Sequence, residues 1–193
     1  MASSFDNDVM KAIYSNKECQ KEVKKYVKEQ FNIKKTTLLV NFSTHPITQE
    51  VGNPNSSNIS NTLGGYGNLY GFLGLESADP ISPVRKVLND LTILEKVLMD
   101  KDNGKISIQF KVPELNDFDE VAKLEWDPKN WVKGIERGLS GFQNFMAKAA
   151  GRSGKGIQIK EKIKPFVGGV NKFQNTKYMS SLINEFKKSI KQI

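Results

Sequence analysis

The sequence is poor in the residues on which most enzyme chemistry depends. It contains one cysteine, Cys19, and one histidine, His45. A single thiol excludes an internal disulfide and any zinc site built on cysteine pairs. Cys19 lies in a stretch of helical periodicity and reads as a half-buried structural thiol. His45 precedes Pro46, the usual setting of a turn or packing histidine. No Ser/His/Asp or Cys/His set can be assembled around it with any specificity. Arginine is scarce too, with only Arg85, Arg137 and Arg152 among 29 basic residues. Base-edge reading and bidentate phosphate clamping lean on arginine, so this balance argues against sequence-specific DNA recognition. No apolar run approaches the ~20 residues of a membrane-spanning helix, and no membrane partner is expected. Residues 1–8 lack the basic and apolar regions of a secretory leader, so none is expected.

What is present is globular in composition. The chain has 193 residues, 38% hydrophobic and 26% charged, which suits one domain with extensions. Its net charge of +8 is unevenly placed. Residues 147–193 hold eleven basic side chains against Glu161 and Glu185, while the preceding 146 residues hold 18 basic and 19 acidic. The expected organisation is therefore a near-neutral core over residues 1–146 and a basic C-terminal arm and helix over 147–193. Such asymmetry points to an anionic partner, either nucleic acid or an acidic protein surface.

Helical spacing of Val9, Met10, Ile13, Tyr14, Val23, Tyr26, Val27 and Phe31 predicts a first helix over residues 8–31. Its polar middle, 15–20, is a place for a kink or a break, and Lys21, Lys24, Lys25 and Lys28 mark a wet face. Residues 36–42 (TTLLVNF) read as a strand from their β-branched and aromatic content. Residues 43–75 are rich in Gly, Asn and Ser, yet carry Leu63, Tyr66, Leu69, Tyr70, Phe72 and Leu73. An ordered loop that packs on something is expected there, because long structureless connections are uncommon in compact domains. A short helix follows over 80–90, with Ser82 as its cap and Pro83 at its first position. Then comes a hairpin. One strand spans 92–99, a turn is signalled at Asp102-Asn103-Gly104, and the second strand, 105–112, points Ile106, Ile108, Phe110 and Val112 inward.

A later helix is expected to start at Asp127 as cap with Pro128 first. Trp131, Ile135, Leu139, Phe142 and Met146 form one stripe, and Gly134, Gly138 and Gly141 another. The glycines read either as close approach of another backbone or as a partly unwound segment. Gly151 to Gly156 is a basic loop, Ile157, Ile159, Glu161 and Ile163 alternate like an extended arm, and Gly168-Gly169 break it. Thr176 is placed as the cap of a last helix. Tyr178, Met179, Leu182, Ile183, Phe186 and Ile190 lie on its apolar face, with Lys177, Lys187, Lys188 and Lys191 opposite. The fold class is thus α+β: a small antiparallel sheet including 36–42, 92–99 and 105–112, flanked by helices.

Two glycine-rich segments invite a nucleotide reading and fail it. Around Lys155 no hydroxyl residue follows the lysine, and the flanking elements are in the wrong order for a phosphate loop. The GGYGN run at residues 64–68 lacks dinucleotide-fingerprint spacing. Asp117, Asp119, Glu120, Glu125 and Asp127 read as solvated loop acids. No catalytic residue, cofactor or metal is expected. An enzyme would gain support only if His45 shared a pocket with a carboxylate.

One resemblance is specific. The residues 45–50 (HPITQE), 58–74 (NISNTLGGYGNLYGFLG), Trp131, Gly134-Ile135-Glu136, Gly138, Ser140-Gly141 and 152–158 (RSGKGIQ) resemble a family of small virion proteins of tailed bacteriophages. That family shows an HPVTQE … NISGTLGGYGNLFSFIGF pattern, then W..GIE.G.SG and SRSG.GIQ. The likeness spans most of residues 41–186. Asn61 stands where the pattern has glycine. The resemblance implies a neck, head-completion or tail-completion protein, located in the virion and forming a homo-oligomeric ring. Leu63, Gly64, Gly65, Tyr66, Asn68, Tyr70 and Phe72 would then touch adjacent subunits. Arg152, Lys155, Lys160, Lys162 and Lys164, with Lys187 and Lys188 on the last helix, would grip neighbouring virion proteins or packaged DNA. The alternative is a non-specific nucleic-acid-binding protein using the same C-terminal lysines, for which sequence-independent charge suffices.

Overall fold

The computed structural model describes residues 9, 11–12, 14–53, 69–75, 77, 79–100, 105–124, 127–137 and 177–193. It is an α+β fold. In chain order the elements are α1 (Lys17–Thr44), α2 (Pro46–Val51), α3 (Leu69–Phe72), α4 (Ile81–Leu91), β1 (Ile93–Asp100), β2 (Lys105–Lys111), a 3₁₀ turn (Leu115–Phe118), β3 (Lys123–Leu124), β4 (Asp127–Asn130), α5 (Trp131–Arg137) and α6 (Met179–Ile190).

The largest departure from the sequence reading is α1, a single helix of 28 residues. Residues 36–42, expected as a strand, are its C-terminal half. The reason is the continuity of one ridge. Val27, Phe31, Leu38 and Phe42 are the buried residues of the helix, and their spacing holds them on one face. Extending 36–42 would break that ridge. The β-branched threonines adapt instead: Thr36 and Thr37 donate their hydroxyls to the carbonyls of Asn32 and Ile33 one turn back, at 3.0 and 3.1 Å. Packing therefore overrides a weak strand propensity. The break expected within 15–20 is real. Asn16 caps α1, its side chain accepting from the amides of Glu18 (2.8 Å) and Cys19 (3.3 Å).

The remaining starts and stops follow local chemistry. Asp79, not Ser82, caps α4, accepting from the amides of Ile81 (3.2 Å) and Ser82 (2.9 Å). α3 ends in a Schellman turn. The amide of Leu75 donates to Tyr70 O and that of Gly74 to Gly71 O, and Gly74 takes the left-handed φ of 61° that the turn requires. β1 and β2 pair antiparallel, with a bulge between Leu94 and Lys96. Ile108, Phe110 and Val112 turn partly inward, as expected, whereas Ile106 near the hairpin tip is exposed. The turn at 102–104 lies outside the described residues.

Asp127 and Pro128 do not start a helix. They belong to β4, which pairs with β3, and α5 begins at Trp131 with Asn130 as its cap. Asn130 wins because its amide is already fixed. Its Nδ2 donates to Asp119 Oδ1 at 2.8 Å, while its Oδ1 accepts from the amides of Val132 (2.8 Å) and Lys133 (3.2 Å).

The core is one cluster fed by all six helices, with Phe118 of the 3₁₀ turn and Leu124 of β3. Phe31 of α1, Phe110 of β2 and Phe186 of α6 meet pairwise with ring centroids 5.6–6.3 Å apart. This aromatic trio ties the long helix, the hairpin and the last helix together. The expected boundary at 146/147 lies outside the described residues, but α6 beyond it buries Met179, Leu182, Ile183, Phe186 and Ile190 in that same core.

Candidate functional site

The residues that carry the family resemblance lie far apart in sequence. In the fold, His45, Thr48 and Glu136 among them meet the start of α6. His45 caps α2, its Nδ1 accepting from Ile47 N–H at 3.2 Å. Its ring lies 4.7 Å from that of Tyr178, and Phe42 stacks on Tyr178 at 6.2 Å. Thr48, one turn into α2, shares a buried hydrogen bond with the Tyr178 hydroxyl. Burial pushes that phenol well above its ordinary range. Leu69 and Leu73 lie in the same core, and Trp131 and Ile135 of α5 are buried in it too.

Glu136 completes the junction. Its carboxylate accepts from the backbone N–H of Ser180 at 2.7 Å and from the Ser180 hydroxyl at 3.0 Å. A carboxylate at a helix N-terminus meets orphan amides and the positive end of the helix dipole. Thr176, the expected cap, lies outside the described residues. The cap seen is borrowed from α5, 44 residues earlier. The end of α5 and the start of α6 are thus joined by a clasp between Glu136 and Ser180.

A second network braces α5 from below. Asp119 meets Lys133 Nζ at 2.6 Å and accepts from Asn130. These contacts, that with Lys133 first, hold its carboxyl below the usual carboxylate value. Asp119 is therefore no loosely solvated loop acid.

His45 also lines an open cleft of about 320 Å³ with Asn41, Thr44, Pro46, Lys177, Ser181, Leu182 and Glu185. A carboxylate does share its pocket, the condition set above for a catalytic reading. The geometry works against that use. Nδ1 already accepts a backbone amide, so the neutral ring carries its proton on Nε2, which can donate but not accept. Burial lowers the imidazole pKa and the Glu185 charge opposes this only in part. A base with no free lone pair does not abstract protons. Among the described residues, no three His, Cys, Asp or Glu side chains are grouped to hold a metal ion. No described helix is long and apolar enough to cross a membrane.

No family model, curated protein or solved structure matches the chain. The site must be judged on its geometry.

Of the expected subunit-contact residues, Leu63, Gly64, Gly65, Tyr66 and Asn68 lie outside the described residues. Phe72 belongs to α3. Tyr70 is half-buried, and its hydroxyl donates to Ser77 O at 3.1 Å, so its polar end is engaged within the chain. Arg152, Lys155, Lys160, Lys162 and Lys164 also lie outside. Lys187 and Lys188 are exposed in the last turn of α6, with Lys177 and Lys191 exposed at its ends. Residue types alone did not single out Thr48, Asn130, Glu136 or Ser180. For Glu136 the signal was the GIE motif, and for Thr48 the HPITQE motif. Asn130 had none beyond being a capping residue type.

Proposed function

We propose that this chain is a non-catalytic structural protein of a tailed-phage particle. It sits at the head–tail junction or the tail end as a subunit of a homo-oligomeric ring, in contact with neighbouring virion proteins. The observation that carries the reading is the use made of the motif residues. His45, Thr48, Trp131 and Glu136, distant in sequence, are spent on caps, a buried hydroxyl pair and a clasp around Tyr178 and Ser180. A motif whose members anchor an element suits a scaffold for assembly better than a reaction centre. The sequence between these anchor points, residues 138–176, carries seven basic and one acidic side chain. The test is to purify particles of the phage that encodes the chain and count its copies by quantitative mass spectrometry. A fixed copy number per particle is expected, with the chain located at one end of the tail in a particle map. Absence from purified particles overturns the reading.

A second reading, non-specific nucleic-acid binding, is favoured by one observation: Lys177, Lys187, Lys188 and Lys191 are all exposed around α6. Binding of this kind loses affinity with salt at a slope of about 0.9 log units per phosphate neutralised. A titration with duplex DNA at ~50 mM and ~200 mM salt decides it. No binding at the lower salt removes this reading.

A further inference from the structure

α1 carries more apolar side chains than its core stripe uses. Tyr26, Ile33 and Val40 are 54%, 55% and 52% exposed, and they are spaced seven residues apart. Cys19 and Val23, both half-buried, extend the same line toward the N-terminus. With Gln30 and Thr37 between, these residues recur at alternating steps of four and three. That is the seam of a heptad helix, with Cys19, Tyr26, Ile33 and Val40 at d and Val23, Gln30 and Thr37 at a. At 100° per residue, the seam lies about a third of a turn from the buried ridge of Phe31, Leu38 and Phe42. The helix therefore has two separate faces, and among the described residues only the ridge is buried in the core.

The charges beside the seam select an occupant. Glu22 and Glu29 fall at g, on one flank, and Lys34 falls at e, on the other. In a parallel, in-register arrangement, g of one helix faces e of the next heptad on its neighbour. Glu29 then meets Lys34 of a second copy, and Lys34 meets its Glu29. An antiparallel arrangement brings g against g and sets glutamates opposite glutamates. We propose that this seam is a self-association surface, on which a second copy of the chain lays its own α1 parallel and in register.

The polar side chains of Gln30 and Thr37 at a positions favour one register and lower stability. A helix of 28 residues is about 42 Å long. One seam of that length is a small interface, so association is expected with Kd on the order of 10–100 µM. The arrangement is open to any closed cyclic symmetry. It does not rest on the virion reading, and the two can fail separately.

The native thiol reports the geometry. In the parallel register Cys19 faces Cys19 across the symmetry axis, whereas an antiparallel pair sets the two thiols at opposite ends. The full chain at ~200 µM, above that Kd range, is examined by sedimentation equilibrium and, after oxidation with diamide, on a non-reducing gel. A closed oligomer that yields a Cys19–Cys19 covalent dimer is expected. Ile33→Asp, at an exposed position, should weaken association at least about tenfold with an unchanged circular dichroism spectrum. Gln30→Leu should strengthen it. A monomer at that concentration, an oligomer that Ile33→Asp leaves intact, or an oligomer without the Cys19 cross-link each overturns the proposal.

Discussion

α1 and α6 are both amphipathic, but they spend their apolar residues differently. In α6 the apolar side chains at 179, 182, 183, 186 and 190 are all buried in the core. In α1 the apolar residues divide between a buried ridge and a seam that is exposed at Tyr26, Ile33 and Val40. A helix whose apolar positions form one stripe can be placed from its periodicity alone. In a helix with two stripes, a short window such as residues 36–42 can gather β-branched and aromatic residues and read as a strand. The contrast separates the demands of folding, which the apolar face of α6 serves, from a surplus on α1 that the described core does not use.

The contrast can be broken most severely at α6. Phe186→Ala removes the ring that meets both Phe31 and Phe110 and should cost about 3–5 kcal/mol by urea denaturation. A loss under ~1 kcal/mol would mean that α6 is not integral to the core. Next comes the clasp. Glu136→Ala leaves the Ser180 amide and hydroxyl without their acceptor and should cost about 1–3 kcal/mol. Opening of the α6 amides, followed by hydrogen exchange, should quicken in proportion. Tyr178→Phe deletes only the hydrogen bond to Thr48 and keeps the ring on Phe42 and His45, so about 1 kcal/mol is expected.

The pH response should be milder. Burial keeps the His45 pKa below its ordinary value of about 6.5. The unfolded chain therefore binds a proton that the folded chain resists. Stability from this group is fully present above pH ~6.5 and falls as acid is added below it. His45→Asn, which retains a capping acceptor, should flatten the urea midpoint between pH 7.5 and 5.5. Last is the seam, where Ile33→Ser should change the unfolding free energy by less than about 0.5 kcal/mol. A larger loss would move Ile33 from the surplus to the core.

Much of the fold was legible where one signal dominated. The hairpin was readable from strict alternation in 105–112, and the last helix from six apolar residues at helical spacing. The break near Asn16 followed from its polar neighbourhood. Errors arose where two signals competed. Thr36, Thr37 and Val40 favour a strand, but Leu38 and Phe42 continue the ridge of Phe31, and packing prevailed. Asp127-Pro128 looks like a helix start, yet Asn130 holds a better set of partners three residues later. Ser82 is a good cap by type, but the helix starts earlier and Asp79 accepts from its first amides, those of Ile81 and Ser82. The site was partly visible as a motif without a mechanism. That Glu136 reaches Ser180, and Thr48 reaches Tyr178, depends on contacts over 44 and 130 positions, which local pattern does not encode.

The clasp between Glu136 and Ser180 has a consequence for how the sequence can be changed. It holds Glu136 and Ser180 together, so closure of the sequence between them is already secured by the core. Closure entropy grows only with the logarithm of loop length, and doubling such a loop costs about 0.6 kcal/mol. Extra domains or tags inserted there should leave the folded core nearly as stable as before. By the same logic, a chain cut between residues 138 and 176 should keep hold of its final helix. Residues 177–193, supplied as a separate peptide, should find their place again.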